Sequence, residues 1–317
     1  DCFTRPGAAQ LVHEDKAQLS ADCEAVRRLE HNKPTPLLDL EYVCKVPIDK
    51  GTVVVVDPYS SGAILAVNVR TVHRKKLVVV HSDPNSPIAA LVASGTDVQP
   101  HAVVLHRGDV AETAAAVAAN AKAGIACVPG AETGVILADQ LAECLGTRDN
   151  PSRLSAARRN KHLMGDAVRA AGLRADRQTK ATRVEDADAF LNSLQRFPVV
   201  VKPIESAGSD DVYKCTSRGE VHTAFKTICG KINGLGLQND GALVQEFLQG
   251  DEYVVDAVSR DGVHKVVAIW KYDKRAVNGA NFVYFGMQLV NCHTGPESVI
   301  AKTLADYANE VRNALEI

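Results

Sequence analysis

One stretch of the chain joins a lysine to small residues in a way that suits a phosphate group. The apolar run Pro198–Val201 ends in Lys202, and the small-residue loop Ser206–Ser209 follows it. An ammonium group is a compact partner for a phosphate, and small residues let backbone N–H groups approach one without a Cβ in the way. A phosphate-contacting loop is one interpretation of this pattern, and a plain flexible turn between two strands is the other.

A second candidate anion site follows the β-branched run Val53–Val56. Ser60, Ser61 and Gly62 stand between this run and a helical segment. Ligands of parallel sheets collect beyond the carboxyl ends of the strands, and a helix N-terminus attracts anions. An ordinary helix cap is the alternative, because Ser is a favoured N-cap residue. The segment lacks G-x-G-x-x-G, so it does not support a dinucleotide site.

Lys161 lies in a notably basic stretch, residues 148–183, in which apolar residues recur at helical spacing. Spacing alone does not distinguish Lys161 from the neighbouring cations, most of which are expected on a solvated face. The eight cysteines form no C-x-x-C pair and no zinc-like spacing. Buried free thiols in a reducing cytosol are therefore expected, and they predict a cytoplasmic location.

The elements that must position these residues change in character along the chain. The first half has four apolar runs typical of strands buried on both faces: Val53–Val56, Leu77–Val80, Ala102–Leu105 and Ile125–Val128. A helical segment to about Arg70 and an Ala-rich helix from Val110 to Ala123 lie between them. This alternation indicates parallel βαβ units, and the predicted fold class is α/β, with a Rossmann-like domain over residues 49–148.

The second half favours strands joined by turns and is predicted to be α+β. Its strands are predicted at Pro198–Pro203, Val212–Cys215, Leu243–Leu248, Tyr253–Val258, Val263–Trp270 and Phe282–Val290, and its helices at 185–197 and Pro296–Ala314. Short turns such as Asp261–Gly262 indicate antiparallel pairing. Residues 1–48 are predicted to form an arm with one helix.

The composition excludes several classes of protein. The 317 residues carry 36 Lys and Arg against 38 Asp and Glu, a net charge of −2, which argues against a dedicated nucleic-acid binder. No apolar run approaches the roughly 18–20 residues of a membrane-spanning helix. The N-terminal residues do not have the pattern of a secretory signal, so no membrane and no nucleic-acid partner is expected.

The combination of motifs is more specific than its parts. The segments are Arg159–Met164, then Val201–Pro203, then the loop Ser206–Ser209, then Val244–Glu252 with the sequence VQEFLQGDE. Their order and spacing resemble the ATP-grasp superfamily. Upstream, Gly130–Val135 and Ala138–Leu141 resemble the pre-ATP-grasp domain. The resemblance, over roughly residues 50–317, points to carboxylate–amine ligases such as bacterial L-amino-acid ligases and carnosine synthase.

The resemblance implies a domain order and roles for individual residues. It implies a pre-ATP-grasp domain at 49–148, a central ATP-grasp lobe at 149–249 and the start of the second lobe at 250–317. Two lysines would contact the ATP phosphates and a loop would close over them, with Lys202 and Ser209 also serving catalysis. A hinge segment would read the adenine edge through its backbone, and a carboxylate would accept from the ribose. These nucleotide-binding residues are Lys161, Lys202, Ser206, Gly208, Ser209, Gln245, Glu246, Phe247, Leu248 and Glu252.

Magnesium is the second cofactor that the resemblance implies beside ATP. The family holds Mg²⁺ with an Asp or Glu and then a Glu-x-Asn on strands near the end of the fold. The sequence ends in the helix before those strands are expected, so no residue is nominated as a metal ligand. Two interpretations stay open: the chain is truncated, or the protein does not hold Mg–ATP in the usual way.

The leading hypothesis is an ATP-dependent carboxylate–amine ligase that forms an amide through an acyl phosphate. Its substrates would be a small-molecule carboxylate and a small-molecule amine, both expected to be amino acids. A homodimer is left open. Candidate substrate contacts are Ser60, Ser61, Lys274 and Arg275, with solvated charges as the alternative for the last two. A nucleotide-binding module without ligase activity and an ATP-grasp kinase are the rival hypotheses.

Overall fold

The computed structural model describes most of the chain from residue 51 onward. The described ranges are 51–59, 61–83, 85, 98–121, 124–206, 211–234, 236–277 and 280–317. The predicted arm at 1–48 and the candidate site residues Ser60, Gly208 and Ser209 lie outside them. No helix in these ranges is both long enough and apolar enough to cross a membrane.

The first sheet is parallel throughout, as predicted. It contains β1 (Thr52–Val56), β2 (Lys76–His81), β3 (Ala102–Leu105) and β4 (Ile125–Pro129) in the order β3-β2-β1-β4. Alternate valines of β1 pack on opposite faces: Val54 and Val56 belong to one hydrophobic cluster and Val55 to another. A strand buried on both faces needs this continuous apolar run, because neither face can present polar side chains to water.

Within the described ranges, three helices cover the two faces of this sheet. They are α1 (Ser61–Thr71), α2 (Val110–Asn120) and α3 (Val135–Cys144). Leu137 and Val117 pack with the Val54 face, and Ala66 packs with the Val55 face. Helix α2 ends three residues before its predicted end, because Ala121 adopts an extended conformation. A 3-10 turn, Glu132–Gly134, links β4 to α3.

The basic stretch forms two short helices and a strand. A 3-10 turn (Ser152–Leu154) leads into α4 (Ser155–Arg159), α5 (Lys161–Ala170) and β5 (Gln178–Ala181). The sequence did not predict β5. Helix α6 (Val184–Leu194) ends three residues earlier than predicted. The next residue, Gln195, has a left-handed φ of 53°, which does not continue a helix.

The second sheet is antiparallel and has the order β5-β8-β6-β7. Its other strands are β6 (Val199–Pro203), β7 (Tyr213–Cys215) and β8 (Ala242–Glu246), and helix α7 (Arg218–Ile228) precedes β8. Helices α6 and α7 bury Leu191 and Ile228 against Val201 and Val244. Strand β8 ends at Glu246, two residues before the predicted end, so Phe247 and Leu248 lie outside the strand.

The third sheet has the antiparallel order β11-β10-β9, followed by helix α8 (Pro296–Ala314). Its strands are β9 (Tyr253–Arg260), β10 (Val263–Val277) and β11 (Ala280–Leu289). Strand β10 continues seven residues beyond the predicted end at Trp270, because β11 pairs with its polar second half. Ile269 and Val290 bury Ala301 of α8.

A buried ion pair connects the first sheet to the helices that follow it. Arg158 on α4 donates to Asp139 on α3 at 3.0 Å, and the side chains are only 6% and 5% exposed. The Ser155 hydroxyl donates to the same carboxylate at 2.6 Å. Arg158 also donates to the backbone carbonyl of Leu315, just beyond α8, at 2.7 Å. One guanidinium therefore joins three parts of the chain that lie far apart in sequence.

Replacing this arginine should cost far more than replacing an exposed one. In Arg158→Ala the Asp139 carboxylate stays buried without its partner, and we expect the free energy of unfolding to fall by about 3–5 kcal/mol. Arg148, which pairs with Asp261 at the surface, is the matched control, and Arg148→Ala should cost less than ~1 kcal/mol. Urea unfolding of both variants measures the difference, and equal losses would contradict this role for Arg158.

Candidate functional site

A cleft of about 970 Å³ lies between α5, the end of β8 and α8. Its lining includes Lys161 and Gly165 from α5, the segment Gln245–Gln249, and Tyr307 from α8. Two groups of predicted nucleotide contacts, a lysine and the hinge segment, therefore line one cavity although they lie some 85 residues apart in sequence. A cavity of this size and mixed lining is typical of a small-molecule site.

The local sequence fixes the position of Lys161 at the first residue of α5. Asn160 is the N-cap, and its Oδ1 accepts from the backbone N–H groups of His162 at 3.0 Å and Leu163 at 3.1 Å. Gln178 on β5 donates to the carbonyls of Lys161 and His162 at 3.1 and 3.0 Å. A Cβ at Gly165 would clash with this glutamine, so only glycine allows the approach.

The ammonium group of Lys161 lies in a partly dry environment among other cations. Its Nζ donates to the backbone carbonyl of Ser206 at 2.7 Å. Burial lowers the pKa of Lys161, and the charges of Lys202 and Arg159 lower it further. Arg159 is itself buried and ion-paired with Glu132, in the turn after β4. The two predicted phosphate lysines therefore interact electrostatically, as the clasping of one anion requires.

Lys202 approaches the same region from strand β6. Burial lowers the pKa of Lys202, while Asp176 and Glu252 act in the opposite direction and Lys274 adds to the lowering. Asp176 lines the cleft. Like charges in a partly desolvated site repel one another, and a bound polyanion removes that repulsion. Partly buried lysines whose charges act on one another in this way would suit a phosphate group.

The charge of Lys274 also acts on Lys202. The sequence had suggested a different role for Lys274, a contact with a substrate carboxylate. Its Nζ donates to Glu252 at 2.7 Å and lies 4.4 Å from the centroid of the Tyr284 ring. Burial lowers the pKa of Lys274, but the hydrogen bonds with Glu252 and Tyr284 outweigh it and the net shift is upward. The predicted ribose carboxylate, Glu252, is therefore paired with a lysine, and half of its side chain is still exposed.

The predicted hinge leaves a backbone edge open to a ligand. The Glu246 N–H donates to the Arg177 carbonyl at 2.9 Å, and its side chain accepts from the Arg177 N–H at 2.7 Å and pairs with Arg196. Gln245 donates to Asp176. By contrast, the Leu248 N–H has no acceptor among the described residues, and this residue is 63% exposed.

Phe247, between these two, lies under the ammonium of Lys214, whose Nζ is 4.5 Å from the ring centroid. The ring therefore contacts Lys214 of strand β7 through a cation–π interaction that the sequence did not predict.

The structure does not bring Ser61 or Arg275 into this cleft, and its lining residues do not include the candidates Lys202, Ser206, Glu252 and Lys274. Arg275 points to Asp273 at 2.7 Å and stacks over Phe285. Ser61 is exposed at the start of α1, beside Gly62, where a Cβ would clash with the carbonyl of Gly130. In the described part of the chain, no group of three or more His, Cys, Asp or Glu could hold a metal ion. The five described cysteines are free.

Three positioning residues escaped the sequence analysis. Asn160 could have been found, because an Asn directly before a helical pattern is an N-cap signal. Arg159 gave no signal, because its partner Glu132 lies 27 residues away. Gln178 gave none, because it lies in a short polar strand that no pattern marked.

The lowered pKa of Lys202 predicts how stability depends on pH. The folded state binds fewer protons than the unfolded state between the lowered pKa and the ordinary 10.5, so stability should rise with pH in that window. Lys202→Met removes the buried charge and should raise the free energy of unfolding at pH 7, with a smaller gain near pH 10. Urea unfolding at several pH values tests this, with the exposed Lys180→Met as control. A loss of stability in Lys202→Met at pH 7 would contradict it.

Comparison with known proteins supports the resemblance. Residues 195–316 match the family model for the ATP-grasp domain. Dapdiamide A synthase from Enterobacter agglomerans is 37% identical over 155 residues, which cover 49% of this chain and 37% of that enzyme. This chain therefore spans little more than a third of the length of that relative.

Two solved structures share the fold over most of the chain. The L-amino acid ligase from Bacillus licheniformis has a TM-score of 0.60 at 16% identity and covers 84% of this chain and 60% of its own. The ADP complex of N5-carboxyaminoimidazole ribonucleotide synthetase has the same TM-score and identity and covers 84% and 64%. At these identities the matches show the fold alone. The family match over residues 195–316 and these two structures thus establish a likeness to ATP-grasp proteins in the second half of the chain and a shared fold over most of it.

Proposed function

We propose that this chain provides the nucleotide-binding part of an ATP-dependent carboxylate–amine ligase. The observation that carries the proposal is that Lys161 lines a cleft together with the hinge segment Gln245–Gln249, while the charge of Lys202 acts on Lys161 and that of Lys274 acts on Lys202. Lysines for the phosphates and a Leu248 N–H without an acceptor among the described residues are the two kinds of contact that ATP would use. The similarity to dapdiamide A synthase and the fold of an L-amino acid ligase support the ligase class.

The proposed reaction has two steps. A carboxylate oxygen attacks the γ-phosphorus of ATP, the bond to the β-phosphate oxygen breaks, and ADP leaves with that electron pair. The amine nitrogen then attacks the acyl carbon, phosphate leaves, and the amine loses a proton. Such chemistry depends on positioning and charge neutralisation more than on a protein nucleophile.

The residues of this chain have separate roles in that sequence. Lys161 and Lys202 would offset the charge of the phosphates, and the backbone of Glu246 and Leu248 would read the adenine. Glu252 would accept from the ribose hydroxyls after exchanging part of its contact with Lys274. The predicted loop, with Ser206, Gly208 and Ser209, would cover the phosphates and exclude the water that hydrolyses an acyl phosphate.

Magnesium has no site that the described residues can define. The carboxylates that act on Lys202, Asp176 and Glu252, are engaged by Gln245 and Lys274, and the described ranges contain no group of three His, Cys, Asp or Glu that could hold a metal. The residues described here do not by themselves fit the Mg²⁺ that accompanies ATP in the family. No step of the proposal is therefore assigned to the metal.

Amino acids are the proposed carboxylate and amine. Ser60, Ser61 and Arg275 stay candidate substrate contacts. A cytoplasmic location and a homodimer likewise stay predictions.

Turnover by a lysine variant tests the proposal. Lys202→Ala should lower amine-dependent ADP release by about 100-fold or more, because one charge on the transferred phosphoryl group is left uncompensated. Lys180→Ala, which replaces an exposed lysine on strand β5 of the same sheet, should leave turnover unchanged. The assay measures ADP released from ATP with pairs of amino acids, and mass spectrometry identifies the product.

Three outcomes would contradict the proposal. Unchanged turnover in Lys202→Ala would remove the assignment of Lys202. A phosphoester in place of an amide would favour the kinase hypothesis. ATP binding without any substrate-dependent ADP release would favour a nucleotide-binding module.

A further inference from the structure

The segment Ile204–Ser206 accepts hydrogen bonds from both the backbone N–H and the ammonium group of Lys161. The Lys161 backbone N–H points to the Ile204 carbonyl at 3.5 Å, and its Nζ donates to the Ser206 carbonyl at 2.7 Å. Glu205 lies between these two acceptors, and its Oε1 accepts from the N-cap Asn160 at 3.0 Å. The position of the Lys161 ammonium therefore depends on where this three-residue segment lies.

Asn233, from the loop after α7, fixes the same segment from the other direction. Its Nδ2 donates to the Glu205 carbonyl at 2.6 Å and to Oδ1 of Asn239 at 3.0 Å. Its own Oδ1 accepts from the Leu237 N–H at 3.1 Å. Asn233 is 8% exposed and Asn239 is 5% exposed. Buried amides cost free energy unless they are hydrogen-bonded, so this network permits one arrangement of the pair.

The loop that carries Asn233 is itself anchored. The Asn239 N–H donates to the Lys231 carbonyl at 2.8 Å, and a bridge between Ile232 and Gln238 closes the loop. Nδ2 of Asn239 donates to the carbonyl of Ile228, the last residue of α7, at 3.3 Å. The loop that contacts Glu205 is thus held by its own hydrogen bonds and by one to helix α7, which packs on the second sheet.

We infer that Asn233 is a positioning residue for Lys161. It acts through the backbone of Ile204–Ser206 and does not touch the nucleotide itself. By fixing the Glu205 carbonyl, Asn233 sets the two flanking carbonyls that hold Lys161 by its N–H and its ammonium. The inference rests on the proposed function only in assigning a phosphate to Lys161.

Two variants with the same chemical change test the inference. In Asn233→Asp an oxygen replaces the donor to Glu205, so that bond is lost and the new carboxylate faces the Asn239 oxygen. In Asn239→Asp the oxygen that accepts from Asn233 is kept, and only the bond to Ile228 is lost. Thermal unfolding of both comes first, and Asn233→Ala, which buries no charge, replaces Asn233→Asp if the latter does not fold.

The first measurement needs no nucleotide. Hydrogen exchange of the Lys161 backbone amide should be about tenfold faster in Asn233→Asp and should change much less in Asn239→Asp, which loses one anchor of the loop but keeps the bond to Asn233. The second measurement is calorimetric titration with ATP and with adenosine. ATP affinity should fall about tenfold in Asn233→Asp while adenosine affinity stays the same, since only the phosphates meet Lys161.

The possible results separate this inference from the proposed function. Equal exchange rates in the two aspartate variants would overturn the positioning role, and so would an equal loss of ATP and adenosine affinity. If the unchanged protein binds no ATP, the proposed function fails, and the exchange measurement alone decides whether Asn233 fixes Lys161.

Discussion

The central physical constraint in this molecule is the burial of lysine ammonium groups, to which the charges of neighbouring lysines add. Lys161 and Lys202 come from different secondary-structure elements, both are partly removed from water, and each has a lowered pKa. Such an arrangement costs folding free energy in the empty protein. A polyanion bound beside these ammonium groups would offset that cost, which is the role proposed for the ATP phosphates.

Much of the surrounding architecture maintains this arrangement. The N-cap Asn160, the Gln178 amide and the segment Ile204–Ser206 hold Lys161, and the central position of β6 in its sheet holds Lys202. At a larger scale, the buried Arg158–Asp139 pair joins the parallel sheet to these helices and to the end of α8. Lys161 therefore cannot move away from its position without breaking several of these hydrogen bonds.

What could be predicted from the sequence follows from how local each signal is. The parallel strands were predictable because continuous valine runs such as Val53–Val56 are typical of strands buried on both faces. Strand β5 was not, because Gln178–Ala181 is short and polar and gains its place only by pairing with β8. The second half of β10 was missed for the same reason: its polar residues are stabilised by pairing with β11, which the local pattern does not show.

The site residues likewise differ in whether their role could be predicted from the local sequence. Lys202 could be nominated because it ends an apolar strand, whereas Lys161 needed the family resemblance, since ten basic residues lie in its stretch. The pairing of Lys274 with Glu252 spans 22 residues, and that of Asn233 with Glu205 spans 28. Contacts of this range depend on the assembled sheets and leave no periodic trace in the sequence.

The most direct test of the lysine cluster is the affinity for ATP and for adenosine of the unchanged protein, Lys161→Ala, Lys202→Ala and the double variant, measured by calorimetric titration. The account predicts that each single substitution weakens ATP binding by about tenfold or more and leaves adenosine binding unchanged. Equal ATP affinity in the unchanged protein and the double variant would contradict it.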